Sequence, residues 1–209
     1  MFSKFHNIEK EKQDRIINAA IKEFAQKGYD KASTNEIVKE AGISKGLLFH
    51  YFQNKKQLYF FLYEHMIDIL MEKIMEEVDW DEKDIFIRYR QMALLKLDLF
   101  KVYPELFNFV KTIYSETSSE VKGDLDLRGK ELLEESLLKL FSDIDLSKFK
   151  KGIDVQKAIR IINWTVEGFG FQQQKKVVQL SLDVEEIVIN EAIAELEEYL
   201  DILRDALYE

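Results

Sequence analysis

Apolar residues recur along most of this chain at intervals of three and four, the spacing of one helical face. Over Lys10–Lys27, Ile17, Ala20, Ile21 and Phe24 share a stripe. Gly28 follows, where a helix end favours a left-handed residue. Ser33-Thr34-Asn35-Glu36 reads as a capping box, with Ser33 capping and Glu36 reaching back. The short helix behind it carries Ile37, Val38 and Ala41 and stops at Gly42. Ser44 is placed to cap the next helix, Lys45 to Phe52. Helix, glycine-bearing turn, helix is the helix-turn-helix arrangement.

The pattern continues in the same period. Asn54 is a cap for a helix to about Val78, and Asp79-Trp80-Asp81 breaks it. Residues 83–102 are periodic again, and Pro104 suits the first turn of a helix reaching Tyr114. Ser115–Lys122 is polar, a helix covers about 124–141, and Asp143–Gly152 is a polar connection. Helices over about 154–179 and 184–207 close the chain, with Asp183 and Glu186 as a second capping box. No strand period or repeat appears. The fold expected is all-α, with about nine helices: a three-helix helix-turn-helix domain over 1–54 and a helical body over 55–209.

Composition agrees with this. A single proline and eight glycines leave few helix breakers among 209 residues. With no cysteine, disulfides and thiolate metal sites are excluded. The N-terminus lacks the apolar core of a signal peptide, and no stretch has the length of a membrane span, so a cytoplasmic protein is expected. The net charge of −9 is unevenly spread. Residues 1–60 hold 11 Lys and Arg against 7 Asp and Glu, while 61–209 hold 19 against 32. A basic head on an acidic body fits nucleic-acid binding.

The helix over 45–52 is where chemistry concentrates. Lys45 with Phe49, and Gly46 with His50, form one face; Leu47 with Tyr51, and Leu48 with Phe52, form the other, which should pack inward. A mid-helix glycine costs about 1 kcal/mol relative to alanine. Close approach of the backbone to base edges in a major groove would offset that, and so would a packing contact within the chain. Lys55 and Lys56 fall in the first turn of the following helix, where the dipole disfavours cations. A phosphate is the anion expected beside them. Singly, each of these residues has an ordinary structural explanation; together they favour DNA.

Residues 10–70 resemble the DNA-binding domain of the TetR family of bacterial regulators. The likeness is carried by Ile17, Ala20, Phe24, Gly28-Tyr29, Ser33-Thr34, Ile37, Ala41-Gly42-Ile43-Ser44-Lys45-Gly46, Leu48-Phe49-His50-Tyr51-Phe52, Asn54-Lys55 and Leu58. The resemblance implies that Ser33 or Thr34 meets phosphate. It implies that Ser44, Lys45, Gly46, Phe49 and His50 lie at bases or nearby phosphates, and that Tyr51 and Lys55 clamp the backbone. Phe49 stands where the family more often has tyrosine, and Lys56-Gln57 replaces a commonly acidic pair.

It further implies that 55–209 binds an effector and dimerises through the last two helices, so that a two-fold dimer reads two half-sites of double-stranded DNA. The stripes expected at that interface are Val155, Ile159, Ile162, Val166 and Phe169, and Ile187, Ala194, Leu196, Leu200, Leu203 and Leu207; internal core is the other reading of the same stripes. Among the aromatics between 80 and 164, Tyr89, Tyr114 and Trp164, with Met92, are the candidate walls of a pocket for a small, largely apolar effector.

No nucleophile elbow or phosphate-binding glycine loop occurs, and Gly168-Phe169-Gly170 lacks the third glycine. His6, His50 and His65 have no metal-ligand spacing. Asp124, Asp126, Gly129 and Glu135 partly imitate a calcium loop, but Arg128 stands where an oxygen ligand belongs. The expected protein is a ligand-responsive repressor without catalytic residues, metal or cofactor. Its competitors are an enzyme housed in the helical body and an interaction module whose helix-turn-helix does not bind DNA.

Overall fold

The computed structural model describes residues 2–179 and 186–209. Among them are ten α-helices and no strand. In chain order these are α1 (Ser3–His6), α2 (Lys10–Lys31), α3 (Thr34–Ala41), α4 (Lys45–Phe52), α5 (Lys55–Glu77), α6 (Ile85–Val102), α7 (Pro104–Tyr114), α8 (Lys122–Leu140), α9 (Val155–Gln179) and α10 (Glu186–Leu207). The helix beyond the expected nine is α1, too short for a periodic signal. The expected capping box at Asp183 lies outside the described residues.

Contacts group the chain into two compact units. One holds the residues up to Glu72 together with Val102–Lys130; the other holds Lys73–Lys101 and Glu131–Glu209. The first takes in α7 because α7 lies along α2: the Thr112 hydroxyl donates to the Ala25 carbonyl at 2.9 Å. The motif boundary at 54/55 therefore does not coincide with the limits of packing.

In the first unit, α2 buries Ile16, Ile17, Ala20, Ile21 and Phe24, a stripe of helical period. Gly28, at φ 68° and ψ 177°, breaks the helical path as expected, and one further turn follows that kink to Lys31. Two bonds sustain that turn. Ala32 N–H donates to Gly28 O at 3.2 Å, and Tyr29 N–H donates to the Glu116 carboxylate at 2.9 Å. The capping box at 33–36 is not made. The Ser33 side chain forms no cap bond, and its N–H goes to Glu23 of α2 rather than to Glu36. At the other end of α3, Gly42 is left-handed (φ 67°), and Ile43 N–H reaches Val38 O at 3.0 Å, the six-to-one bond of a Schellman closure.

The α4–α5 joint is tight. Gln53 has φ 64° and ψ −53°, a γ-turn closed by Asn54 N–H on Phe52 O at 2.7 Å. Asn54 Oδ1 then accepts Gln57 N–H at 2.8 Å, capping α5 as expected.

The second unit has its own core, in which Ile85, Phe86, Tyr89, Leu140, Phe149, Ala158, Ile162, Leu196, Leu200 and Tyr208 are buried. Val155, Ile159, Val166, Phe169, Leu203 and Leu207 pack against it. The stripes expected at a dimer interface are thus the intramolecular core, apart from Ala194, which is exposed, and Ile187, whose side chain is outside the description. An amphipathic stripe shows that a face is covered, not what covers it.

The connection at 143–152 is more ordered than its polarity suggests. Lys150 N–H donates to Leu207 O at 2.9 Å and Glu209 N–H to Lys148 O at 3.0 Å, strapping the C-terminus. Beneath it, the fully buried Arg88 guanidinium donates to the carbonyls of Trp80, Glu82, Leu140 and Ser142. It closes the C-terminus of α8, where carbonyls lack intrahelical donors and the dipole favours a cation.

Candidate nucleic-acid interface

The candidate interface centres on α4. Ser44 caps it: its hydroxyl accepts Leu47 N–H at 3.2 Å. Leu48, Tyr51 and Phe52 are buried, as the inward face requires. Ser44, Lys45, Gly46 and His50 are exposed and Phe49 is half-buried. The two faces expected from the sequence are therefore realised, with Leu47 intermediate.

Gly46 is the informative residue. Its φ is not positive, so the backbone does not demand glycine. A β-carbon built on it would meet no atom of the chain within 4 Å, so packing does not demand glycine either. The same holds for the helical Gly123, Gly168 and Gly170, so what distinguishes Gly46 is its place on an exposed face between Lys45 and His50. Lys45 Nζ lies 5.9 Å from the Phe49 ring centroid, placing a cation at the start of the same face.

The two lysines behave differently from expectation. Lys55 Nζ donates to Asp30 O at 3.2 Å and sits 4.6 Å from the Tyr29 ring centroid. Lys56 Nζ pairs with Asp124 at 2.8 Å. The unfavourable dipole position is thus answered inside the chain, and it does not by itself call for a phosphate. Lys55 touches a carbonyl and a ring and acts on the Glu23 carboxylate only through space, whereas Lys56 is in a contact ion pair.

Tyr51, expected at the DNA backbone, is 8% exposed, with its ring 5.7 Å from that of Phe5. Ser33 and Thr34 are half-buried at the start of α3. Glu23 is the residue that sequence reasoning missed. It is a buried carboxylate on the apolar side of α2, and it holds the start of α3 by accepting Ser33 N–H at 2.8 Å. A charged residue on a buried stripe was the available signal.

The candidate pocket residues fall in both units. Tyr89 is buried and Met92 packs on the same core of the second unit. The Tyr89 hydroxyl donates to Asn163 Oδ1 at 3.3 Å, and Asn163 in turn donates to Glu167 at 2.9 Å. Burial raises the Tyr89 phenol far above its ordinary value, so it stays protonated. Trp164 is 64% exposed on the opposite side of α9 from Ile162. Tyr114 belongs to the first unit and is also exposed. Among the described residues, no group of three His, Cys, Asp or Glu is placed to hold a metal ion. None of the described helices is long and apolar enough to cross a membrane.

Residues 16–60 match the family model of bacterial regulatory proteins, tetR family. The chain is 42% identical over 66 residues to the transcriptional regulator YuxN of Bacillus subtilis, a match covering 32% of this chain and spanning about a quarter (23%) of that regulator. It is 28% identical over 163 residues to the fatty acid metabolism regulator protein of Bacillus subtilis, covering 73% of this chain and 78% of the relative. It is 23% identical to the biofilm operon negative regulator IcaR of Staphylococcus aureus, covering 81% and 90%. Among solved structures, a TetR-family regulator from Chloroflexus aurantiacus superposes with TM-score 0.62 at 20% identity, covering 99% of this chain and 98% of that one. A Rhodococcus member superposes at 0.68 with 16% identity, covering 93% and 99%. The relatives are regulators of transcription rather than enzymes. Residues 16–60, with the helix-turn-helix of α3 and α4, are thus a tetR-family DNA-binding segment, and the chain as a whole shares the fold of TetR-family regulators.

Proposed function

We propose that this protein is a transcriptional repressor that binds double-stranded operator DNA as a homodimer and releases it on binding a small, largely apolar effector. The observation that carries DNA binding is the exposed face of α4 within the family-matched residues 16–60, where Gly46 leaves the backbone open between Lys45 and His50. In a major groove it lets α4 sit close against base edges, with Lys45, Phe49 and His50 around it. The N–H groups at the starts of α3 and α4, with Ser33, Thr34, Ser44 and Lys55, take phosphates. Tyr51 supports the helix from behind. Repression is the sign attributed to IcaR, named as a negative regulator.

Dimerisation rests on the outer faces of α9 and α10. Ile161, Trp164 and Phe171 on α9, and Tyr199 and Ile202 on α10, are large apolar residues left exposed in the single chain. Spacings of three and seven put Ile161, Trp164 and Phe171 on one side of α9. A second copy covers them, and the pair of α4 helices then addresses half-sites one helical turn apart, about 34 Å.

An effector site in the body is supported by the apolar core around Tyr89 and Met92, with the Tyr89–Asn163–Glu167 chain as its polar contact. It acts by binding more tightly to the state that does not fit DNA, and DNA lowers its affinity by the same factor.

The test is a titration of duplex DNA from upstream of the protein's own coding region, at several salt concentrations. Saturable binding that exceeds that of a scrambled duplex by about a thousandfold or more is expected. Equal affinity for both duplexes overturns the reading.

A further inference from the structure

α4 is two turns long, about 12 Å, far below the length at which a helix is stable alone. Its pose is therefore set by what its buried residues touch. Those residues are Leu48, Tyr51 and Phe52. Two of the three are held by the chain's first residues. The Phe5 ring centroid lies 4.7 Å from that of Phe52 and 5.7 Å from that of Tyr51. Phe2 stands 5.8 Å from Phe52. Both rings also meet Phe61 of α5, each at 5.1 Å.

Phe5 is fully buried, although it belongs to a helix of only four residues near the chain's start. That helix is itself fastened. The Gln13 side-chain amide of α2 donates to Ile8 O at 2.8 Å and to His6 O at 3.2 Å. So α1 is pinned to α2 on one side and packs its aromatic rings against α4 and α5 on the other. It lies outside the residues 16–60 matched by the family model.

We propose that α1 is a positioning element for DNA reading: Phe5, with Phe2, fixes the pose of α4 through Tyr51 and Phe52. Lys45, Gly46, Phe49 and His50 project from a helix whose other side these rings hold. A site that is present but loosely supported loses specificity before it loses affinity for phosphates. The proposal rests on α4 being the recognition helix.

The experiment uses the full chain and a duplex selected from a random pool on the wild-type protein. Phe5→Ala is expected to lose about tenfold or more in affinity for that duplex. Its binding to a non-specific duplex stays within about twofold, and its salt slope is unchanged, because phosphate contacts remain. Phe5→Leu, which refills most of the volume, restores affinity to within about threefold. In the DNA-free protein, amide exchange over residues 45–52 accelerates in Phe5→Ala and returns in Phe5→Leu. Should Phe5→Ala fail to fold, Phe2→Ala carries the same expectations at smaller size. Wild-type affinity and exchange in the folded alanine variant overturn the anchor alone. A parallel fall in specific and non-specific binding also overturns it. A wild-type chain that selects no duplex overturns the recognition-helix reading and the anchor's role with it.

Discussion

The carboxylate of Glu23 accepts the backbone N–H of Ser33 at 2.8 Å and the Lys27 ammonium at 2.8 Å. A residue in the middle of α2 thus supplies the cap that Glu36 would supply in a local box. The angle between α2 and the start of α3 is fixed by a charge-assisted bond from a side chain that is 7% exposed. Burial alone would raise the carboxyl pKa, but the bonds from Lys27 and Ser33 outweigh it and the value is lowered. A carboxylate with a lowered folded pKa contributes stability above its unfolded value, near 4.5. That contribution fades as pH falls through the lower folded value. Glu23→Ala is expected to cost about 1–3 kcal/mol at neutral pH. Its stability, followed by urea titration from pH 7 down to the acid limb, should converge toward wild type below pH 4.5. A constant gap across that range contradicts the assignment.

Gly46 gives a variant whose two effects have opposite signs. Because a β-carbon meets nothing within 4 Å, Gly46→Ala fits the folded chain without strain. Alanine should raise stability by up to about 1 kcal/mol. The same methyl group stands on the face assigned to base edges. Duplex affinity should fall by tenfold or more, about 1.4 kcal/mol. A higher melting temperature together with unchanged DNA affinity would falsify the role given to this glycine.

Lys55 and Lys56 are adjacent but should differ in salt dependence. Lys55 has a carbonyl and a ring for company, so its charge is available to a phosphate. Lys56 is paired with Asp124. Lys55→Ala should reduce the slope of log affinity against log salt by about one. Lys56→Ala should leave the slope nearly unchanged, and Asp124→Asn should steepen it. Equal slopes for the two alanine variants would show that the Asp124 pair does not hold Lys56 in the complex.

Legibility in the sequence followed the range of the interactions. Ser44, Asn54 and Gly42 act on neighbours within five residues, and each was readable from its type and position. The inward face of α4 was readable for the same reason. Glu23 to Ser33, Tyr29 to Glu116 and Arg88 to the end of α8 join residues distant in the chain, and no local pattern encodes them. Gln53 takes a left-handed conformation without a turn residue's chemistry, so the γ-turn was invisible. α1 is a single turn whose signal is two phenylalanines rather than a period. The helical faces of α9 and α10 were readable, but which face meets solvent was not, since both carry large apolar residues. On α9, Ile162 is fully buried while Ile161 is 44% exposed.

That last ambiguity yields the sharpest test of assembly. The stripe of Ile162, Val166 and Phe169 serves the core of one chain, and Ile161, Trp164 and Phe171 are exposed on the face proposed for a partner copy. A charge placed on the outer stripe should separate the copies without unfolding either. Trp164→Glu removes the largest exposed apolar side chain of α9 and sets two like charges near one another across a two-fold axis. Sedimentation at micromolar concentration is expected to show a dimer for wild type and a monomer for Trp164→Glu, with helical content retained. Ile162→Glu places its charge in the core instead, so it should unfold the second unit before any change in association is seen. DNA affinity of Trp164→Glu should fall toward that of a single half-site, since two linked heads gain from effective concentration. A Trp164→Glu variant that remains a dimer would move the interface off α9 and leave the exposed stripe to some other partner.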